Sequence, residues 1–161
     1  MSVSADAFRK ALATWASGVT IVTSRHGDAI HGMTVSAFSS VSLHPPLVLV
    51  CADKTSDTNG VIARSGRFAV NVLALGQRAL SDRFAVQRDE QLRFADVAWS
   101  EAVTGAPLLD DALVGIDCRV DASHDAGDHV IYVGRVEALR QREGEPLLYW
   151  RGRYRGLAAE E

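Results

Sequence analysis

The chain has 161 residues, a length typical of a single folded domain, and its 17 basic and 20 acidic side chains give a formal net charge of −3. It has no basic excess that would favour nucleic acid as a ligand, and no apolar stretch reaches the length of a membrane span. Cys51 and Cys118 form no CxxC motif and no zinc spacing, so we expect two core thiols in a reducing compartment, the cytoplasm.

The start of the chain predicts a helix followed by a hairpin. Apolar side chains recur every three or four positions over roughly residues 4–16, which predicts a helix with one apolar face. The side chains on that face are Phe8, Ala11, Leu12 and Trp15. Residues 19–24 are rich in β-branched types, a turn follows at residues 26–28, and a strand near residues 30–36 would complete the hairpin.

The middle of the chain predicts short strands and helices. Pro45 and Pro46 interrupt the chain before residues 47–51, an apolar run that favours a strand buried on both faces. Further on, we expect helices near residues 58–64 and 77–84, separated by a strand over residues 68–73. Residues 85–110 are charged and interrupted by Gly105 and Pro107, so we expect only short extended pieces there.

The last third predicts a long antiparallel hairpin. Apolar and polar residues alternate over residues 114–122 and again over residues 130–138, with a turn at residues 123–128. Many short strands with antiparallel connections and two or three short helices favour a mainly β fold, a closed or split barrel. No G-x-G-x-x-G motif follows a strand, so a Rossmann nucleotide domain is not supported.

Residues 32–58 have a composition suited to a flat ligand that carries a phosphate. Thr34, Ser36 and Ser39 place hydroxyl groups on extended segments. After the apolar run, the ammonium of Lys54 lies among hydroxyl residues at a predicted helix start, where free N–H groups favour an anion. The alternative interpretation is ordinary strand hydroxyls and a solvated lysine. The five histidines form no HExxH motif and predict no metal site.

Five segments together resemble, in order, the short-chain flavin reductase family. These segments are residues 8–24, 32–58, 66–73, 127–134 with Gly-Asp-His at its start, and 147–154 with Arg-Gly-Arg-Tyr at its end. The resemblance implies one domain over residues 1–161 with the antiparallel, Greek-key split barrel that binds FMN. It also implies hydride transfer from NADH or NADPH to FMN or FAD. Reduced flavin would pass to a separate monooxygenase component, and the chain would form a homodimer.

The resemblance implies a flavin site built from several segments. The residues expected at the isoalloxazine edge are Met33, Thr34, Val35, Ser36 and Ala37, with Ser39 near the ribityl chain or phosphate. Cys51, Ala52 and Asp53 would continue the pocket wall, and Phe84 with Ala85 would close one side. The residues expected around the phosphate are Lys54, Ser56, Thr58 and Asn59.

The resemblance also implies a nicotinamide side. His129 would act as the catalytic residue that holds the carboxamide or steadies the reactive stack; the alternative is a satisfied turn histidine. Contacts to the dinucleotide are expected from Tyr149, Arg151, Gly152, Arg153 and Tyr154, which could instead form a solvated edge strand. Trp150 stands where many relatives carry a histidine or another polar residue. Two other functions stay open, namely a barrel that binds flavin or haem without turnover and a purely structural barrel.

Overall fold

The computed structural model describes residues 3–86 and 92–158 of the chain. It contains three short α-helices in this part, α1 (Ala5–Leu12), α2 (Asp57–Ser65) and α3 (Arg78–Ala85). The twelve strands found there are β1 (Ser17–Gly18), β2 (Thr20–His26), β3 (Ala29–Val35), β4 (Phe38–Leu43), β5 (Pro46–Asp53), β6 (Arg67–Val72), β7 (Trp99–Ser100), β8 (Leu108–Leu109), β9 (Val114–Ala126), β10 (His129–Gln141), β11 (Leu148–Trp150) and β12 (Arg153–Arg155).

Seven of these strands form one antiparallel sheet in the order β3-β2-β6-β9-β10-β5-β4. The two edge strands, β3 and β4, follow each other in the chain with only Ser36 and Ala37 between them, so the sheet curves back on itself as a split barrel. Its interior is filled by apolar side chains that include Val22, Val50 and Phe68. The predicted mainly β, antiparallel barrel is confirmed.

A smaller sheet, β1-β11-β12, lies outside the barrel and carries the C-terminal hairpin. Its turn docks on the last turn of α1, because the backbone N–H of Arg151 donates to the carbonyl of Ala13 at 2.9 Å. The indole N–H of Trp150 donates to the carbonyl of Thr14 at 3.1 Å. Ala13 is the C-cap residue of α1, so the first of these bonds satisfies a carbonyl group that the end of a helix leaves without an intrahelical partner.

Helix α1 is shorter than predicted, and its apolar face is exposed. It ends at Leu12, and its expected apolar face is exposed, with Phe8 at 59% and Trp15 at 75% of full exposure. The helical periodicity is therefore present, but no element within residues 3–86 and 92–158 covers the apolar face.

Two strands also differ from their predicted burial. In β5 only the alternate residues Val48, Val50 and Ala52 are buried, since the opposite face borders an open groove, so the prediction of burial on both faces was wrong. In β9 the acidic residue Asp117, expected on a solvated face, is buried. It accepts hydrogen bonds from the backbone and hydroxyl of Thr104, because the segment before β8 folds over that face.

Candidate functional site

Three adjoining concavities lie where β3, the end of β5 and the C-terminal hairpin meet. The main cavity has a volume of about 770 Å³, within the 300–1,000 Å³ typical of small-molecule sites. The apolar groove, of about 520 Å³, shares Ser36, Tyr149 and Gly152 with the main cavity. The basic pocket, of about 380 Å³, surrounds the start of α2 and shares Ser56 with the main cavity.

The main cavity brings together two sets of predicted residues that are far apart in the chain. The flavin set contributes Met33, Thr34, Ser36, Asp53, Ser56, Phe84 and Ala85. The nucleotide set contributes Tyr149, Gly152, Arg153 and Tyr154 from the C-terminal hairpin. A single cavity therefore has walls from both sets, an arrangement that suits two ligands bound against each other.

Hydrogen bonds hold α3 between β3 and the hairpin. The hydroxyl of Thr34 donates to the carbonyl of Ser81 at 2.6 Å. On the other side of α3, the Tyr154 hydroxyl lies 2.9 Å from the Ser81 hydroxyl and donates to the Asp82 carboxylate at 2.8 Å. Burial raises the pKa of Tyr154, and the Asp82 carboxylate adds to the increase, so this phenol stays a neutral donor at physiological pH.

The basic pocket has the chemistry of a phosphate site. Ser56 is the N-cap of α2, where its Oγ accepts from the backbone N–H of Asn59 at 3.1 Å. The surrounding side chains include the cations Lys54 and Arg64 together with His31. A helix start with its unpaired N–H groups and partial positive charge favours an anion, and the basic side chains add to that preference.

The residues beside this pocket are ordered by local hydrogen bonds. Thr55 donates from both its hydroxyl and its backbone N–H to Asp53 at 2.7 Å, which lowers the pKa of the Asp53 carboxyl. The side-chain carbonyl of Asn59 accepts from the Tyr132 hydroxyl at 2.7 Å. The turn between β5 and α2 is therefore held in one shape, which favours a preorganised binding site.

The apolar groove contains further predicted residues, Ala37, Ser39, Cys51 and Arg151. Trp150 lines this groove and does not line the main cavity as the structure describes it. The Arg151 guanidinium lies over the Trp150 ring at 4.7 Å from its centroid. Trp150 therefore contributes to hairpin docking, through its bond to Thr14, and to a cation–π contact.

Some predicted site residues do not line any of the three concavities. Val35, Ala52 and Thr58 are buried and are not among the residues that line the three concavities. His129 is partly exposed and is not among the described residues that line the three concavities. Its Nδ1 lies 2.7 Å from the Asp128 carboxylate, and this contact lowers the pKa of Asp128. The role predicted for His129 stays a prediction.

Several residues in the main cavity were missed by the sequence analysis. One face of α3 presents Arg78, Ser81 and Asp82, which recur at helical spacing with Ala85, a residue already predicted. That periodicity could have identified them. Arg93 is nearly buried, and its guanidinium donates to the carbonyl of Gly32 at 2.7 Å. No local pattern signals Arg93, because its position depends on how its segment folds back against β3.

Comparison with known proteins identifies the family. The model of the flavin reductase-like domain matches residues 12–158. The chain belongs to this family. It is 44% identical over 154 residues to an NADH-dependent flavin reductase from Rhodococcus, covering 92% of this chain and 84% of the relative. It is also 42% identical over 155 residues to HsaB, the reductase subunit of a flavin-dependent monooxygenase from Rhodococcus jostii, covering 96% of this chain and 78% of the relative.

A solved structure supports the same assignment. The NADH:FAD oxidoreductase SgcE6 of Streptomyces globisporus, in complex with NAD and FAD fragments, superposes with a TM-score of 0.89 at 32% identity. The match covers 98% of this chain and 97% of that structure. Within residues 3–86 and 92–158, no helix is long and apolar enough to cross a membrane. The same residues contain no group of three or more side chains placed to hold a metal ion.

Proposed function

We propose that the chain is an NADH-dependent flavin reductase that uses FMN or FAD and provides reduced flavin to a separate monooxygenase. The observation that carries this proposal is the main cavity, whose walls combine the hydroxyl-bearing residues Thr34 and Ser36, at the end of β3 and just after it, with the Tyr-Arg residues of the C-terminal hairpin. The names of the relatives support the nucleotide and the monooxygenase partner. Two free cysteines are consistent with a reducing compartment, and we assign the chain to the cytoplasm.

The residues of this chain fit a phosphorylated flavin. Thr34 and Ser36 border the main cavity, and Ser56 joins that cavity to the basic pocket at the start of α2. A ring system in the main cavity could therefore extend its phosphate toward Ser56 and Lys54. When bound, the flavin supplies an acceptor for the hydride of the nicotinamide. The protein has to align and desolvate the two rings, a task that needs no nucleophile or metal.

On the nucleotide side, the hairpin provides aromatic rings and guanidinium groups. Tyr149 and Tyr154 pack edge to face with their ring centroids 5.3 Å apart, and Arg153 lines the same cavity. Such residues suit the rings and phosphates of a dinucleotide. His129 is assigned to the nicotinamide, since its backbone pairs with that of Asp53, which lines the main cavity.

We also assign a homodimer as the working form. The apolar groove is lined by Leu12 of α1 and by Phe38 of β4, and both elements carry further exposed apolar side chains, Phe8 on α1 and Val41 and Leu43 on β4. A second copy of the chain would cover this apolar surface. Analytical ultracentrifugation at micromolar concentration should give about twice the 17.3 kDa chain mass, and a sedimentation mass of one chain would refute the dimer.

The activity is tested by following NADH absorbance at 340 nm in air with the protein and each free flavin. Rapid loss of NADH that requires both protein and flavin is expected. NADPH and each of FMN and FAD are tested in parallel to establish the preferred pair. A protein that retains a yellow flavin but does not consume NADH would contradict the reductase and support a passive flavin-binding barrel.

A further inference from the structure

One cation of the basic pocket is already engaged by an acidic side chain. Lys54 lines the basic pocket, and its ammonium forms an ion pair with the carboxylate of Asp125. Lys54 is partly covered, with 37% of its side chain exposed, whereas Asp125 is 78% exposed. Asp125 does not itself line the basic pocket, so an anion bound in the pocket would share the Lys54 ammonium with a carboxylate from outside it.

The sheet holds Asp125 in this position. In the register of the sheet, Val130 of β10 pairs with Asp125 of β9 on one side and with Ala52 of β5 on the other. The backbone N–H of Lys54 also donates to the carbonyl of Asp128 in the β9–β10 turn at 3.0 Å. The tip of the β9–β10 hairpin is thus attached to the start of the phosphate turn, and Asp125 is kept beside Lys54.

We propose that Asp125 competes with the flavin phosphate for Lys54 and so weakens the affinity for phosphorylated flavins. This inference rests on the proposed function, because it requires the phosphate to bind at Lys54. A phosphate monoester carries about −1.5 to −2 charges at pH 7 and must either displace the carboxylate or bind beside it. Weaker binding favours release of the flavin, which suits a reductase whose product is used by another protein.

The test is a titration with FMN of wild type, Asp125→Asn, Lys54→Ala and the double variant. Asp125→Asn should bind FMN about twofold to fivefold more tightly, which corresponds to ~0.4–1 kcal/mol, the range of an exposed ion pair. In the Lys54→Ala background the same substitution should give a clearly smaller gain. Riboflavin, which lacks the phosphate, should bind equally to wild type and to Asp125→Asn.

Asp121→Asn is the matched control, because it removes the same charge from the same strand. Asp121 has its own partner, Arg135, at 2.7 Å. If it tightens FMN binding as much as Asp125→Asn does, the effect is one of net charge and the inference is overturned. Added salt should reduce the difference between Asp125→Asn and wild type.

The remaining outcomes separate this inference from the proposed function. If Lys54→Ala weakens FMN binding but Asp125→Asn does not change it, the phosphate site stands and the competition is refuted. If Lys54→Ala leaves FMN affinity unchanged, the phosphate binds elsewhere and both proposals for Lys54 fail, while the NADH assay still decides the reductase activity. Thermal unfolding of each variant shows that it is folded.

Discussion

Ser56 has two functions in this structure that substitutions can separate. Its Oγ caps α2 by accepting from the backbone N–H of Asn59, and the residue borders both the main cavity and the basic pocket. Ser56→Ala removes the cap, which should lower the free energy of unfolding by about 1 kcal/mol. In a chain of this size that corresponds to a decrease in Tm of about 2–4 °C.

The same substitution should also weaken flavin binding. Loss of one hydrogen bond to a charged phosphate costs about 1.5–3 kcal/mol, or roughly 10- to 150-fold in FMN affinity. Ser56→Asp separates the two effects, because aspartate caps a helix about as well as serine but places a negative charge at the phosphate position. This variant should therefore keep the wild-type Tm and lose at least as much FMN affinity as Ser56→Ala.

The assay combines thermal unfolding without flavin and fluorescence titration with FMN and riboflavin. Both variants should bind riboflavin with wild-type affinity, since riboflavin has no phosphate to lose a contact. Wild-type FMN affinity in Ser56→Asp would refute the placement of the phosphate at the start of α2. An unchanged Tm in Ser56→Ala would show that the cap does not stabilise the protein.

Three further predictions follow from other parts of the structure. Gly134→Ala should lower the unfolding free energy by about 1–3 kcal/mol, because the added Cβ would overlap the Phe68 ring and lie 2.9 Å from the Cβ of Cys118. Gly18→Ala, where no neighbouring atom lies within 4 Å of the added Cβ, is the control in thermal unfolding. Tyr154→Phe, which loses the hydroxyl bonds to α3, should raise KM for NADH about threefold to tenfold with little change in flavin affinity, and an unchanged KM would place the nucleotide elsewhere. His129→Ala should reduce kcat/KM for NADH by about 10- to 100-fold while flavin affinity stays at the wild-type value. Wild-type kinetics in this variant would show that His129 is only a turn residue and has no role at the nicotinamide.

The sequence determined those features that depend on neighbouring residues. The helix predicted near residues 58–64 is α2, and Ser56 and Gly66 delimit it, because a cap hydroxyl and a left-handed glycine act within one helical turn. The alternation of apolar residues predicted the β9–β10 pair, since side chains of a strand point alternately to its two faces. The order of five motifs along the chain indicated the flavin reductase family, which the comparisons confirm.

Only the tertiary structure decided which of these segments meet. Tyr154 reaches Ser81 across 73 residues of chain, and Lys54 meets Asp125 because β10 pairs with both β5 and β9. The apolar periodicity of α1 was predicted correctly, yet its exposure was not, because burial depends on which surface packs against a helix. Periodicity and capping are local properties of the backbone, whereas contacts between distant side chains depend on which strands pair across the chain, such as β10 with β5, and no local pattern encodes that pairing.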